Sequence, residues 1–280
     1  MKMPWEFKVK EVRLIDIPDL KEVKGIERDK ILINADEHTR LGVVSNDYSV
    51  FPHSEAVNKT VEAINEVAKV DSRFKNFKLN SDKVVLRRNK SFMKLDVDFP
   101  DLKFVVGKVK KVDDIVGFRT SILNSLDGTS RLKWPIGGFR VVCSNGLVTF
   151  QEIDSISFVH KGLNIPSLKE SILNELKTFQ HLVNEWKELA KKSLTKEQIS
   201  EVFKKMKERN EKERVIAVKH LNNIIDISDK IFEEEGRTVW TLYNLASNYT
   251  THNQKIANSV YVIDREKEIS KFFLDMAKAA

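Results

Sequence analysis

Residues Gly117–Phe150, GFRTSILNSLDGTSRLKWPIGGFRVVCSNGLVTF, decide how the rest of the chain is read. The run up to Ser125 has strand character. Asp127-Gly128 is a turn signal, and a second apolar run follows through Trp134. A Gly-Gly step at 137–138 then leads into Phe139–Leu147. Two strand-like runs around Asp-Gly are a strong local hairpin signal, because the glycine supplies the positive φ that the turn needs. The stretch reads as the centre of an antiparallel sheet. Asn145-Gly146 marks a further positive-φ turn closing the run that contains Val141 and Val142.

Working outward toward the N-terminus, β-type patterning continues. Phe7–Ile17 mostly alternates apolar and polar residues, the period of a half-buried strand. Lys30–Asn34 is a second strand, and Arg40–Val50 has the pattern of a hairpin about Ser45-Asn46-Asp47. A helix is expected from Pro52 to about Val70, with Ser54 as its N-cap and Val57, Val61, Ile64 and Ala68 as its buried stripe. Lys83–Arg88, Ser91–Val97, Lys103–Lys110 and Ser155–His160 read as further strands.

Toward the C-terminus the texture changes. Ser167-Leu-Lys-Glu170 and Thr195-Lys-Glu-Gln198 are capping boxes. Leu168, Ile172, Leu176, Phe179, Val183, Trp186 and Ala190 recur at spacings of three or four, the mark of a helical seam. Ile199, Val202, Phe203 and Met206 form another. A helix is expected from Asn210 to Glu235 with a stripe of Val218, Leu221, Ile225 and Phe232, ending near Gly236. Two more span Thr238–Tyr249 and Asp264–Ala277. The expected fold class is α+β: an N-terminal antiparallel sheet with one packed helix (residues 1–165), followed by a C-terminal helical region (166–280).

The chain has 280 residues, one cysteine and a formal net charge of +7. No apolar run approaches the ~20 residues needed to cross a bilayer, and no apolar stretch near Met1 resembles a secretory signal. A single cysteine forms no internal disulfide, so a cytoplasmic protein is expected. The charge is unevenly spread. Arg73–Lys111 holds twelve basic residues against four acidic ones, an excess of eight that accounts for that of the whole chain. Positive charge concentrated in strands, with Phe74, Phe77 and Phe92 interleaved, suits the phosphates and bases of a single-stranded nucleic acid. The alternative is a solvated strand face over core phenylalanines. Arg73, Lys75, Lys83, Arg87, Arg88, Lys90 and Lys94 are the leading contacts. Arg131 and Arg140 are secondary, each equally suited to a structural ion pair.

Other chemistries find little footing. There is no phosphate-binding loop, since Gly137-Gly138 has neither the spacing nor the lysine. One cysteine and six scattered histidines lack zinc-ligand spacing, so neither a metal nor a cofactor is expected. Cys143 with His160 as base would make a nucleophilic pair, but Val141-Val142-Cys143 is the setting of a small buried hydrophobe. Asp96/Asp98 and Asp113/Asp114 could hold a divalent ion for nuclease chemistry, against the simpler reading of a solvated face or turn.

Leu123-Asn124-Ser125-Leu126-Asp127-Gly128-Thr129-Ser130, then Phe139-Arg140-Val141-Val142-Cys143-Ser144-Asn145-Gly146-Leu147, then His160-Lys161-Gly162 resemble, in this order, a family of phage- and plasmid-borne proteins. That family carries LNSHDGTS, FRxVCxNGL and PHKG. Gly42-Val-Val-Ser-Asn-Asp-Tyr48 and Trp240-Thr-Leu-Tyr243-Asn244, with Tyr249 and His252, are similar to its flanking segments. Leu126 and Val159 depart from it, standing where histidine and proline are common. The resemblance brings no catalytic residue. It implies a mobile-element setting and DNA transactions. The layout is also similar to phage single-strand annealing proteins of the RecT, Red-beta and Erf type, which implies ATP-independent annealing of single-stranded DNA by a homo-oligomer. A factor that blocks a host protein and a metal-dependent nuclease are the competing expectations.

Overall fold

The computed structural model describes residues 2–140, 156–158, 165–213, 218–252 and 262–279. The fold is α+β, with antiparallel sheets in the N-terminal half followed by helices. Contacts divide the chain into two compact units. One comprises Met1–Phe99, Thr120–Pro135 and Asp154–Asn174; the other comprises Pro100–Arg119, Ile136–Ile153 and Glu175–Ala280.

In the first unit, β1 (Val9–Arg13), β2 (Asp29–Asn34) and β3 (Thr39–Ser45) form a three-stranded antiparallel sheet. β2 alternates half-buried and buried residues, as its sequence demands. The hairpin expected around Ser45–Asp47 is instead the β2–β3 connection, turned at residues 35–38 with His38 at φ 55°. Ser45 already pairs with Asp29, so Asn46-Asp47 leave the sheet rather than turn within it. The strand expected through Ile17 stops at Arg13, giving way to short 3-10 turns at Leu14–Asp16 and Pro18–Leu20. Arg13 already faces Lys30, one residue from the start of β2, so the ladder has no further partner.

Helix α1 (His53–Ala68) buries His53, Ala56, Val57, Thr60, Ala63, Ile64 and Val67. Ser54 lies inside the first turn, and Pro52 occupies the cap without a side-chain bond. Pro52 presets the extended entry and cannot be a helical donor, so the helix starts two residues earlier than a cap at Ser54 requires. The buried stripe is correspondingly rotated, leaving Val61 and Ala68 half-buried.

The second sheet has strand order β10-β8-β7-β6-β4, with β5 also on β6 and β9 also on β7. The two strands expected at 91–97 and 103–110 are one strand, β6 (Phe92–Val109), uninterrupted at Pro100. β7 (Val112–Ser125) is paired on both sides, and β8 (Leu132–Trp134) joins it with Leu123 opposite Lys133. The Asp127-Gly128 connection is therefore a six-residue loop rather than a two-residue turn, with Gly128 at φ +72°. β10 (Ile156–Phe158) pairs with β8. Trp134 is fully buried and donates its Nε1 hydrogen to Thr60 Oγ1 of α1 at 2.8 Å. Burying a side chain of this size stabilises by about 3 kcal/mol only if its N–H is satisfied, and Thr60 satisfies it.

In the second unit, β9 (Ile136–Arg140) accompanies α2 (Ile165–Lys191, from Glu175 on), α3 (Lys196–Glu213), α4 (Val218–Glu235), α5 (Val239–His252) and α6 (Val262–Ala279). Phe104 and Phe118 pack edge-on against Phe179. A chain of rings continues through Trp186, Trp240, Tyr243 and Phe273. The α2 and α3 seams are buried as their spacing predicts, Ala190 being half-buried beside buried Leu189. Thr195 and Gln198 form the expected capping box: each backbone N–H donates to the other's side-chain oxygen. Ser167 does not cap α2, because the helix already begins at Ile165 with Pro166 inside the first turn, where a proline costs nothing. Residues 210–213 belong to α3, and α4 starts at Val218. Its stripe runs through Leu221, Ile224, Ser228 and Phe232, with Ile225 half-buried. Ser228 is tolerated there because it donates to Ile225 O at 2.7 Å. Gly236, at φ +91°, closes α4 by donating to Phe232 O.

Candidate nucleic-acid interface

Two short strands line up along the outer edge of β6. β4 (Lys78–Leu79) pairs Lys78 with Asp98, and β5 (Val85–Arg87) pairs Arg87 with Phe92. Six residue steps along β6 separate those two pairs, a span of about 20 Å at strand rise. The chain between β4 and β5 makes a 3-10 turn at Ser81–Lys83, fixed by buried Asn80, whose N–H donates to Asp96 O. Lys78, Lys83 and Arg87 are exposed along this edge, and Lys75 is exposed three residues before β4. Among the described residues none of the four has a carboxylate partner.

The other cations of the segment are engaged. Arg73 holds Asp71 through a two-pronged contact, Nη2 at 2.6 Å and Nε at 2.9 Å. That hydrogen bond keeps the Asp71 carboxyl below its ordinary range against the opposing effect of burial. Lys94 pairs with Asp96 at 2.8 Å, Lys90 pairs with Glu37, and Arg88 reaches Asp127 at 3.4 Å. The free charge of the edge is thus smaller than a residue count suggests. Exposed pairs are worth at most about 1 kcal/mol, so a phosphate can compete for them. Phe74 is fully buried against Phe99, Phe92 is buried, and Phe77 is half-buried. Phe74 and Phe92 therefore offer no ring face to a base.

The Leu123–Ser130 stretch forms the brace behind this edge. Asp127 accepts from Ser125 Oγ and, at 2.5 Å, from Thr129 Oγ1 on one oxygen. It accepts from Ser91 Oγ at 2.8 Å and from Arg88 on the other. The Thr129 N–H adds a further bond, and Arg88 Nη1 also donates to Thr129 Oγ1. Burial pushes the Asp127 carboxyl up, but the donors outweigh it and hold the group down at about 2. Tyr48 lies close, donating its hydroxyl to Ser125 O at 3.1 Å; burial, reinforced by the Asp127 charge, pushes it up to about 12.

The brace grips a turn of unusual backbone. Arg88, Asn89 and Lys90 lie at φ 52°, 53° and 69°, three consecutive left-handed residues without a glycine. Each such position costs of order 1 kcal/mol or more and persists only where its surroundings over-determine it. Here Ser91 donates through both its N–H (to Arg88 O) and its hydroxyl (to Asp127), while Leu126 N donates to Ser91 O at 2.7 Å. His53 closes the third side. Its Nε2 lies 2.9 Å from Lys90 O, a carbonyl that only accepts, and its Nδ1 faces Asn124 Nδ2 at 2.9 Å. That pattern requires the neutral ring with its proton on Nε2. The strand alternation that would put Arg88 with Val84 and Leu86 ends at Arg87, so Arg88 points into the brace instead.

The remaining candidates separate by position. Arg131 is exposed just before β8. Arg140 ends β9, and its side chain lies outside the described residues, as do Cys143, Asn145, Gly146 and Val159–Gly162. Beside the glycine pair it is Arg119, not singled out in the sequence, that stacks over Phe139, 4.9 Å from the ring centre. Phe139 also fills the space over Gly117, where a Cβ would come within 2.4 Å of the ring. One member of each acid pair is shown engaged. Asp96 takes Lys94 and the Ser121 hydroxyl, and buried Asp114 accepts from Trp240 Nε1 at 2.8 Å. No cluster of metal-ligating groups occurs among the described residues.

Fold and site together define an α+β protein with a cationic sheet edge braced by a half-buried carboxylate. Residues 40–272 match the family model described as Domain of unknown function (DUF932). The chain belongs to that family. No curated protein and no solved structure matches it.

Proposed function

We propose that the protein binds single-stranded DNA along the β4–β5 edge and promotes annealing without ATP, as a homo-oligomer serving recombination or replication of a phage or plasmid in the host cytoplasm. The observation that carries this reading is the row of exposed cations at Lys78, Lys83 and Arg87, unmatched by carboxylates, along about 20 Å of one edge, with exposed Lys75 just before it in the chain. Arg73, Arg88, Lys90 and Lys94 flank the row; the exposed pairs of Arg73 and Lys90 exchange their carboxylate for phosphate, while Arg88 and Lys94 add charge from their paired positions. Arg131 and Arg140 are secondary contacts. Charge rather than stacking leads the binding, because Phe74 and Phe92 are buried. No described helix is long and apolar enough to cross a membrane.

The test is a titration of a fluorescent single-stranded oligonucleotide at several salt concentrations, with annealing of a complementary strand read in the same cuvette and native mass for the assembly. Affinity falling steeply with salt, by about 0.7 in log–log slope per phosphate neutralised, is expected. No binding at about 50 mM salt, or salt-independent binding, overturns the reading. A protein that ignores DNA but captures a host enzyme through the helical region would establish the interaction-factor alternative instead.

A further inference from the structure

The β6–β7 connection is a second cationic turn, far along the chain from the first. β6 ends at Val109 and β7 begins at Val112, so Lys110 and Lys111 alone make the turn, at φ 47° and 71°. Both central residues of a two-residue hairpin turn of this type sit in left-handed backbone, for which Asn-Gly is the relaxed choice. Two lysines occupy it instead. Lys108, Lys110 and Lys111 are exposed, and among the described residues none has an ion-pair partner. Val112 is 61% exposed, and Asp113 is the one acidic group at the tip. The ribbon is anchored at its base. A Cβ on Gly107 would come within 3.1 Å of Ala190, and Asp114 is buried against Trp240. Only residues 108–113 project beyond those anchors.

We propose that this tip enters the major groove of a B-form DNA duplex. Three residues from Lys108 to the turn reach about 10 Å, close to the groove depth of about 8.5 Å, and a groove about 12 Å wide admits a two-stranded ribbon. The lysines meet the phosphates on the groove walls. Val112 gives an apolar contact of the kind thymine methyl groups accept. Strained lysines are retained at a tip for what they touch, since the hairpin would close more readily without them. The inference rests on the protein being a nucleic-acid binder, though not on the β4–β5 edge.

The test uses the full chain and a 20-base-pair duplex, comparing the parent with K110N/K111G, which removes two charges and relaxes the turn. Thermal stability should be equal or higher. Duplex binding should lose about 1.8 of its salt slope, so that between 50 and 200 mM salt the parent loses roughly tenfold more affinity than the variant. Single-strand binding should be unchanged. An unchanged duplex slope, equal losses on single strand and duplex, or a loss confined to phosphatidylserine vesicles each overturns the groove assignment. A K83A/R87A variant separates the two proposals: it should lose single-strand affinity while its duplex binding still responds to K110N/K111G. If the parent binds no single strand while the K110N/K111G effect on duplex persists, the edge reading fails and the tip stands.

Discussion

The β5–β6 and β6–β7 turns differ in one respect that governs both stability and charge. Each is built from left-handed residues without glycine, and each is cationic. The turn at Arg88–Lys90 is gripped by Asp127, Thr129, Glu37 and His53. The turn at Lys110-Lys111 is gripped by nothing among the described residues. In the first, the surrounding network offsets the backbone strain and consumes part of the charge. In the second, the hairpin bears the strain alone and the charge stays available. A cation in a strained turn thus has two uses, as a component of a brace or as a contact, and its carboxylate partners tell which.

The largest break in this comparison should come from removing the brace. Asp127→Ala leaves Ser91, Ser125, Thr129 and Arg88 without their shared acceptor, and an expected loss of about 3 kcal/mol should appear as a lower urea midpoint. Asp127→Asn should cost less. The same carboxylate sets an acid limit. Its folded pKa lies below its unfolded value of about 3.8, so its contribution is complete above pH 4 and is lost as pH falls toward 2. Acid unfolding of Asp127→Asn should lack that component.

Leu126→Ala probes the apolar side of the same loop. Leu126 is fully buried in a cluster with Leu32, Leu41 and Val44, and the truncation should cost about 2–4 kcal/mol without altering DNA affinity per folded molecule. Next in size is the edge itself. Lys83→Ala with Arg87→Ala should remove about 1.4 from the single-strand salt slope at unchanged stability. The paired Lys90 and Lys94, truncated together, should remove less. The smallest effect is expected from Asn89→Gly. Asparagine already tolerates left-handed backbone, so the gain should be a few tenths of a kcal/mol, read as a slight rise in the urea midpoint.

Much of the fold was legible because hydrophobic period and cap chemistry are local. The α2 and α3 seams, the Thr195–Gln198 box, the Gly236 stop and strand β2 follow from residues a few positions apart. The boundaries that moved did so for local reasons too easily outweighed: a proline entry displaced Ser54 and Ser167 as caps, and Pro100 failed to interrupt β6 because it can be accommodated on a strand edge. The basic segment was visible as composition. Its division into engaged and available cations was not, since Asp71 is near in sequence but Glu37 and Asp127 are 53 and 39 residues from their partners. Tyr48, His53 and Asn124 carried no signal as a network, although Asn124 lies close to the Asp127-Gly128 turn signal.

By itself, the sequence determined the α+β class, the helical seams and the concentration of positive charge between Arg73 and Lys111. Periodicity and charge are sums over neighbours along the chain. Only the tertiary structure decided that the Asp-Gly loop is a brace, that Arg88 belongs to it while Arg87 does not, and that Lys110-Lys111 stand unsupported. Those outcomes depend on hydrogen bonds and ion pairs between residues distant in sequence, and on backbone φ values that arginine and lysine do not announce in advance.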